Sequence, residues 1–248
     1  MDSCVIRNIA RSIYSAWNNK KEFRMRMLYR PLVWAAFGLI GAAQAAQAGD
    51  TGYFFVDGNV GQSAKRVPSG GQTYDPTFDS TTRISMDRKD LAGALRFGYR
   101  WRSVVDYGLE AGYVDLGSSR ERFSYTSPWY SFNSRWDQEV RGWLLGGTLS
   151  YTFAEKWSVN GRAGWFRSRV NWSGENIVFL SGGPDSESQN SYNSTRTGEY
   201  AGVGISYAVT PSMSFGLSYD NYHARFAYAG GNLTNTIAMY SASAEYRF

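Results

Sequence analysis

His223 is the only histidine in the 248-residue chain, so any acid–base chemistry near neutral pH starts there. If residues 210–212 form a tight turn between two strands, Glu199 falls opposite His223. An acid orienting a histidine is two-thirds of a hydrolytic triad. The nucleophile is what is lacking. The same-face neighbours of His223 are Asn221 and Arg225, Thr197 faces Arg225, and no serine is marked by its context. The pair therefore reads as a rim salt bridge, and no catalytic residue is assigned. A second group is charged. With a turn at residues 102–104, Arg100 stands opposite Asp106 and Arg96 opposite Glu110, two cross-strand pairs of opposite sign on one face. Asp57, Arg162, Asp220 and Glu245 share that face. A third group is a repulsion. With a turn at residues 154–156, Trp143 faces Arg167 and Arg141 faces Arg169, so two arginines oppose each other beside tryptophan. An oxyanion held between them reverses the sign, and arginine suits bidentate phosphate contact better than lysine. No His/Cys cluster points to a metal, and Gly202–Gly204 lacks a phosphate-loop context. The three Asn-x-Ser/Thr matches (Asn171, Asn193, Asn232) read as chance, and no cofactor is expected.

Those registers presuppose strands, and the period of two supplies them. Eight alternating segments follow one another: residues 53–61, 91–101, 105–115, 141–153, 157–167, 199–209, 213–225 and 236–248. In the second, Leu91, Leu95, Phe97, Tyr99 and Trp101 alternate with Arg96, Gly98 and Arg100. In the last, Ala238, Tyr240, Ala242, Ala244, Tyr246 and Phe248 alternate with Ser241, Ser243, Glu245 and Arg247. The connections alternate between tight turns (102–104, 154–156, 210–212) and long ones (62–90, 116–139, 168–198, 226–235). All six prolines fall outside the strands, as a hydrogen-bonded ladder requires.

The N-terminal segment reads as an export signal. Arg24, Arg26 and Arg30 precede an apolar run over residues 32–43, and Ala46, Gln47 and Ala48 fit an A-x-A cleavage pattern. The run is too short for a transmembrane helix. Residues 1–48 are thus assigned as signal peptide, with 1–24 consistent with a mis-assigned start, and residues 49–248 as the mature domain. Of the 26 basic and 21 acidic side chains, seven and two lie in the signal, which leaves 19 of each. The basic pI belongs to the signal, and nucleic acid is not an expected partner. The single cysteine, Cys4, leaves with it, so no disulfide is expected.

An even set of strands with both ends on the tight-turn side suits a bilayer-spanning barrel. The text L-R-F-G-Y-R-W…Y-G-L-E-A-G-Y-V-D-L-G and the aromatic-x-Phe ending at Tyr246 and Phe248 resemble the small eight-stranded outer-membrane family typified by the OmpA membrane domain, OmpX and Ail, and the opacity-type adhesins. The resemblance runs from about Thr51 to Phe248, without a peptidoglycan-binding domain after it. It implies an all-β fold: an eight-stranded antiparallel transmembrane β-barrel with four long extracellular loops, monomeric and integral to the bacterial outer membrane. Tyr246 and Phe248 then serve as an assembly signal for the barrel-assembly machinery. The four inward charges Arg96, Glu110, Arg100 and Asp106 become lumen salt bridges in a barrel just wide enough for its own side chains. Arg141, Arg167 and Arg169 become a lipopolysaccharide-binding patch, or else are neutralised by Asp137 and Glu139. The expected role is non-enzymatic: envelope integrity and contact with host or environment through the loops, by way of an unknown extracellular ligand. The alternatives are a narrow diffusion channel and a lipid A acylhydrolase.

Overall fold

The computed structural model describes residues 51–65, 70–181, 186–228 and 231–248. The signal segment, with Cys4, and the loop tips carrying Pro68 and Pro184 lie outside the described residues. Ten antiparallel strands form one sheet: β1 (Gly52–Lys65), β2 (Gly71–Asp75), β3 (Ser80–Asp87), β4 (Lys89–Trp101), β5 (Asp106–Thr126), β6 (Tyr130–Phe153), β7 (Trp157–Leu180), β8 (Ser186–Thr210), β9 (Met213–Tyr228) and β10 (Gly231–Arg247). Eight of them, all but β2 and β3, close a ring, because β5 also pairs with β6 and β10 returns to β1 with Phe55 opposite Arg247. Each ring strand is thus hydrogen-bonded to a neighbour on both sides through the membrane segment, the condition for crossing a bilayer with strands.

Alternation decides the two faces. On β10, Tyr240, Ala242 and Tyr246 face outward while Ile237, Met239 and Ser241 are buried inside. The outward apolar band ends toward the long-loop side at Val60, Leu91, Tyr113, Trp143, Trp165, Val203, Tyr219 and Tyr240. Beyond it the outward side chains turn polar or charged, as at a membrane boundary.

One expectation is corrected. The long connections are mostly strand. β5 through β8 run roughly 13 to 17 residues past the apolar band, more than 40 Å of strand at the usual rise. The β2–β3 hairpin joins this extension by pairing with the far half of β5. Both faces of the extension are largely polar, so hydropathy gives no alternation to read there. Aromatic cross-strand pairs hold it instead: Tyr125 on Tyr130 at 5.1 Å and Phe123 on Phe132 at 5.9 Å between centroids. The interior is also not polar throughout. Its outer half is an apolar layer of Val114, Leu116, Val140, Leu144, Phe166, Val170, Ile237 and Met239, with Trp172 packed against it.

Candidate functional site

The inner half of the lumen holds the charges. Arg96 is fully buried there, and Arg100 and Glu110 nearly so. The expected pairs do not form. The connection after β4 spans residues 102–105, one longer than expected, so Trp101 lies opposite Tyr107, Arg100 opposite Gly108 and Arg96 opposite Gly112. A slip of two residues keeps every side chain on its face but changes its partner. Asp106 is what lengthens the turn: its carboxylate accepts the Ser103 N–H (3.1 Å) and the Tyr53 hydroxyl (3.0 Å). Arg96 instead crosses the lumen to Asp220 (3.4 Å) and the Tyr222 hydroxyl (2.7 Å) on β9, and meets Asp57 (3.5 Å), its direct cross-strand partner on β1. Arg162 contacts the same two carboxylates, Asp57 at 3.3 Å and Asp220 at 2.8 Å. Arg100 pairs with Glu245 at 2.8 Å, which Arg247 also holds, and Glu110 accepts from Tyr200 at 2.7 Å. In so narrow a barrel a guanidinium reaches strands on the far wall, so sequence-adjacent hairpins do not choose its partners.

The hydrolytic pair is not assembled. Glu199 lies 3.0 Å from Arg225, while the His223 imidazole Nδ1 lies 3.3 Å from the Thr236 hydroxyl. The acid is engaged diagonally across β8 and β9, and the histidine faces β10. Among the described residues, no group of three or more His, Cys, Asp or Glu side chains is placed to hold a metal ion.

On the outer face the third group comes together as the sequence predicts. Phe153 pairs with Trp157, Trp143 with Arg167 and Arg141 with Arg169. The turn that sets this register places Ala154 and Glu155 at φ 46° and 62°. Trp143 and Trp165, each 63 % exposed, mark the top of the apolar band beneath the arginines. Thr197 and Thr195 flank Arg167 and Arg169 on β8, and Asp115 flanks Arg141 on β5. Asp137, an expected neutraliser, is engaged by Arg120 at 2.7 Å and Arg135 at 3.5 Å. Among the described residues Arg141, Arg167 and Arg169 make no ion pair within 4 Å. Below the tryptophans the small residues Gly147, Gly161, Ala163 and Ala201 hollow the outer face into an apolar groove of about 720 Å³, walled by Leu149 and Val203.

Residues 33–248 match the family model of the outer membrane protein β-barrel domain. The chain belongs to this family. The barrel is accordingly an integral protein of the outer membrane. No curated protein matches its sequence. Similar solved structures include Neisserial surface protein A (15 % identity, 79 % of this chain and 97 % of that one, TM-score 0.35). Ail, the attachment invasion locus protein of Yersinia pestis, was solved in complex with the heparin analogue sucrose octasulfate (14 % identity, 79 % and 99 %, TM-score 0.31). OprG from Pseudomonas aeruginosa is a third (12 % identity, 80 % and 96 %, TM-score 0.41).

One site escapes a reading of the sequence. Lys65 is buried at the outer mouth of the barrel, where its Nζ donates to the Ser119 hydroxyl (2.6 Å), the Gln138 carbonyl (3.2 Å) and Gln138 Oε1 (3.1 Å). Burial pushes its ammonium down to about 8, against the opposing pull of Asp90. The signal was parity: Lys65 continues the inward series Asp57, Asn59, Ser63, but only if β1 is carried past Gly61.

Proposed function

We propose that the barrel is a non-enzymatic surface protein, seated in the outer leaflet by lipopolysaccharide and presenting its strand extensions to host or environment. The extension of β5 to β8 beyond the apolar band carries this reading, because ordered sheet outside a membrane offers contact surface at little ordering cost. The engagement of Glu199 by Arg225 and of His223 by Thr236 argues against the acylhydrolase, and the apolar layer across the outer lumen argues against the channel.

The seat is the collar of Arg141, Arg167 and Arg169. Two directly opposed arginines are unfavourable until an anion bridges them, and lipid A phosphates lie at that height in the outer leaflet. Thr195 and Thr197 add hydroxyl donors, and the apolar groove beneath receives acyl chain. Exchanging all three arginines for Gln should lower the melting temperature in lipopolysaccharide-containing bilayers and leave it unchanged in neutral detergent. Equal losses in both media, or none in either, would overturn the collar.

A further inference from the structure

A second set of arginines lies on the outer surface of the extension, away from the collar. There β3, β5, β6 and β7 run side by side, and one row crosses them as Ser85, Arg122, Arg135 and Glu175. Arg122 and Arg135 are direct cross-strand partners, so like charges again face each other. Arg83 lies diagonally from Arg122, opposite Ser124. Carboxylates reach part of this cluster. Asp137 is shared, with Arg120 at 2.7 Å and Arg135 at 3.5 Å, and Arg83 donates to a neutral amide, Gln72 Oε1, at 2.9 Å. Among the described residues Arg122 makes no ion pair within 4 Å. Glu175 faces Arg135 from β7.

These side chains, with Ser85, Ser124 and Asn133, line a groove of about 500 Å³. That volume falls within the ordinary range of small-ligand sites. Arginine forks match the tetrahedral oxyanions of sulfate and phosphate, while hydroxyl and amide side chains match sugar hydroxyls. We propose that this groove binds a sulfate- or phosphate-bearing saccharide, with one anionic group held among Arg83, Arg122 and Arg135. From Arg141 to Arg135 the chain advances about 20 Å along β6, so the groove stands clear of the lipid-facing collar. The proposal rests on the surface-contact reading and names the chemistry of the partner.

The test uses the full mature barrel in neutral detergent, titrated with a sulfated dextran oligosaccharide, with the phosphorylated core oligosaccharide of lipopolysaccharide freed of lipid A, and with neutral dextran. One or both anionic probes should bind and neutral dextran should not; the probe that binds more tightly identifies the source of the anion. Replacing both Arg83 and Arg122 with Gln should weaken binding by about tenfold or more, the loss expected of charge-assisted hydrogen bonds. Glu175→Gln should strengthen it by roughly twofold to fivefold, by removing a competing carboxylate at the rim. Arg141→Gln combined with Arg167→Gln and Arg169→Gln should leave it unchanged, which separates the groove from the collar. Heat-modifiable migration at wild-type abundance checks that each variant is folded. Protease cleavage of the β2–β3 hairpin on intact cells tests the surface reading by itself. No binding of either anionic probe, or unaltered affinity in the folded Arg83/Arg122 variant, would overturn the proposal.

Discussion

Lys65 shows what one buried cation does to the energetics of this barrel. It lies outside the apolar band, inside the outer mouth, with three oxygens around Nζ. Its pKa in the folded chain is about 8, below the ordinary 10.5. Between those values the unfolded chain binds more protons than the folded one, so stability rises as pH climbs through that window. Below pH 8 the penalty is fully present, on the order of 3 kcal/mol. Lys65→Met should therefore raise the urea midpoint in detergent at pH 7 and flatten the rise that the wild type shows between pH 8 and 10.5. A difference between the two proteins that does not change with pH would refute this account. Arg96 has the opposite character. It is held by two carboxylates and a phenol, so its charge fits where it lies.

At the scale of elements, the junction between barrel and extension is a single bulge. The β5–β6 register shifts between Asp115 and Ser118, and Gly117 sits there at φ 70°. Only glycine adopts that conformation without strain. A Cβ at Gly117 would also lie 2.6 Å from the Leu91 carbonyl oxygen and 2.8 Å from the Asp90 carboxylate. That carboxylate accepts from the Ser118 N–H (2.6 Å) and hydroxyl (2.9 Å), so it cannot simply swing away. Gly117→Val should cost about 2 kcal/mol or more, from left-handed strain alone. The damage should be local: hydrogen exchange should accelerate on the β3–β5 ladder of the extension while the membrane ladder of β4 and β5 stays protected. Uniform protection in both would show that the bulge is not the joint.

For the whole molecule, the lumen is closed twice. An inner tier of crossed ion pairs fills the periplasmic half, and an apolar tier of eight side chains, joined by Trp172, fills the half above it. An ion entering from outside would have to cross a packed, predominantly apolar layer that offers little to replace its hydration. Planar bilayers containing the purified barrel should therefore show no stable openings. Reproducible unitary steps in the wild type would reverse the choice between surface protein and channel. Disrupting the inner tier alone, by Arg96→Gln, should not open a path, since the apolar tier remains.

The sequence by itself determined the strands of the membrane ring, their facing, and the outward register of β6 with β7. Each rests on local facts: a period of two, proline placed outside the ladder, and a turn at residues 154–156 short enough to count across. Counting across that turn is enough to bring Arg141 opposite Arg169. It did not determine the partners inside the lumen. Arg96 to Asp220 and Arg100 to Glu245 join residues far apart in the chain, and the narrow circumference of the closed ring brings them within reach. Nor did it reveal the extension, whose strands are largely polar on both faces, or the apolar tier, whose inward side chains alternate with the outward arginines of the collar. In the first the alternation that announces a strand face is absent, and in the second it runs opposite to that of the membrane band. Only the closed tertiary structure decided which side of those residues is inside.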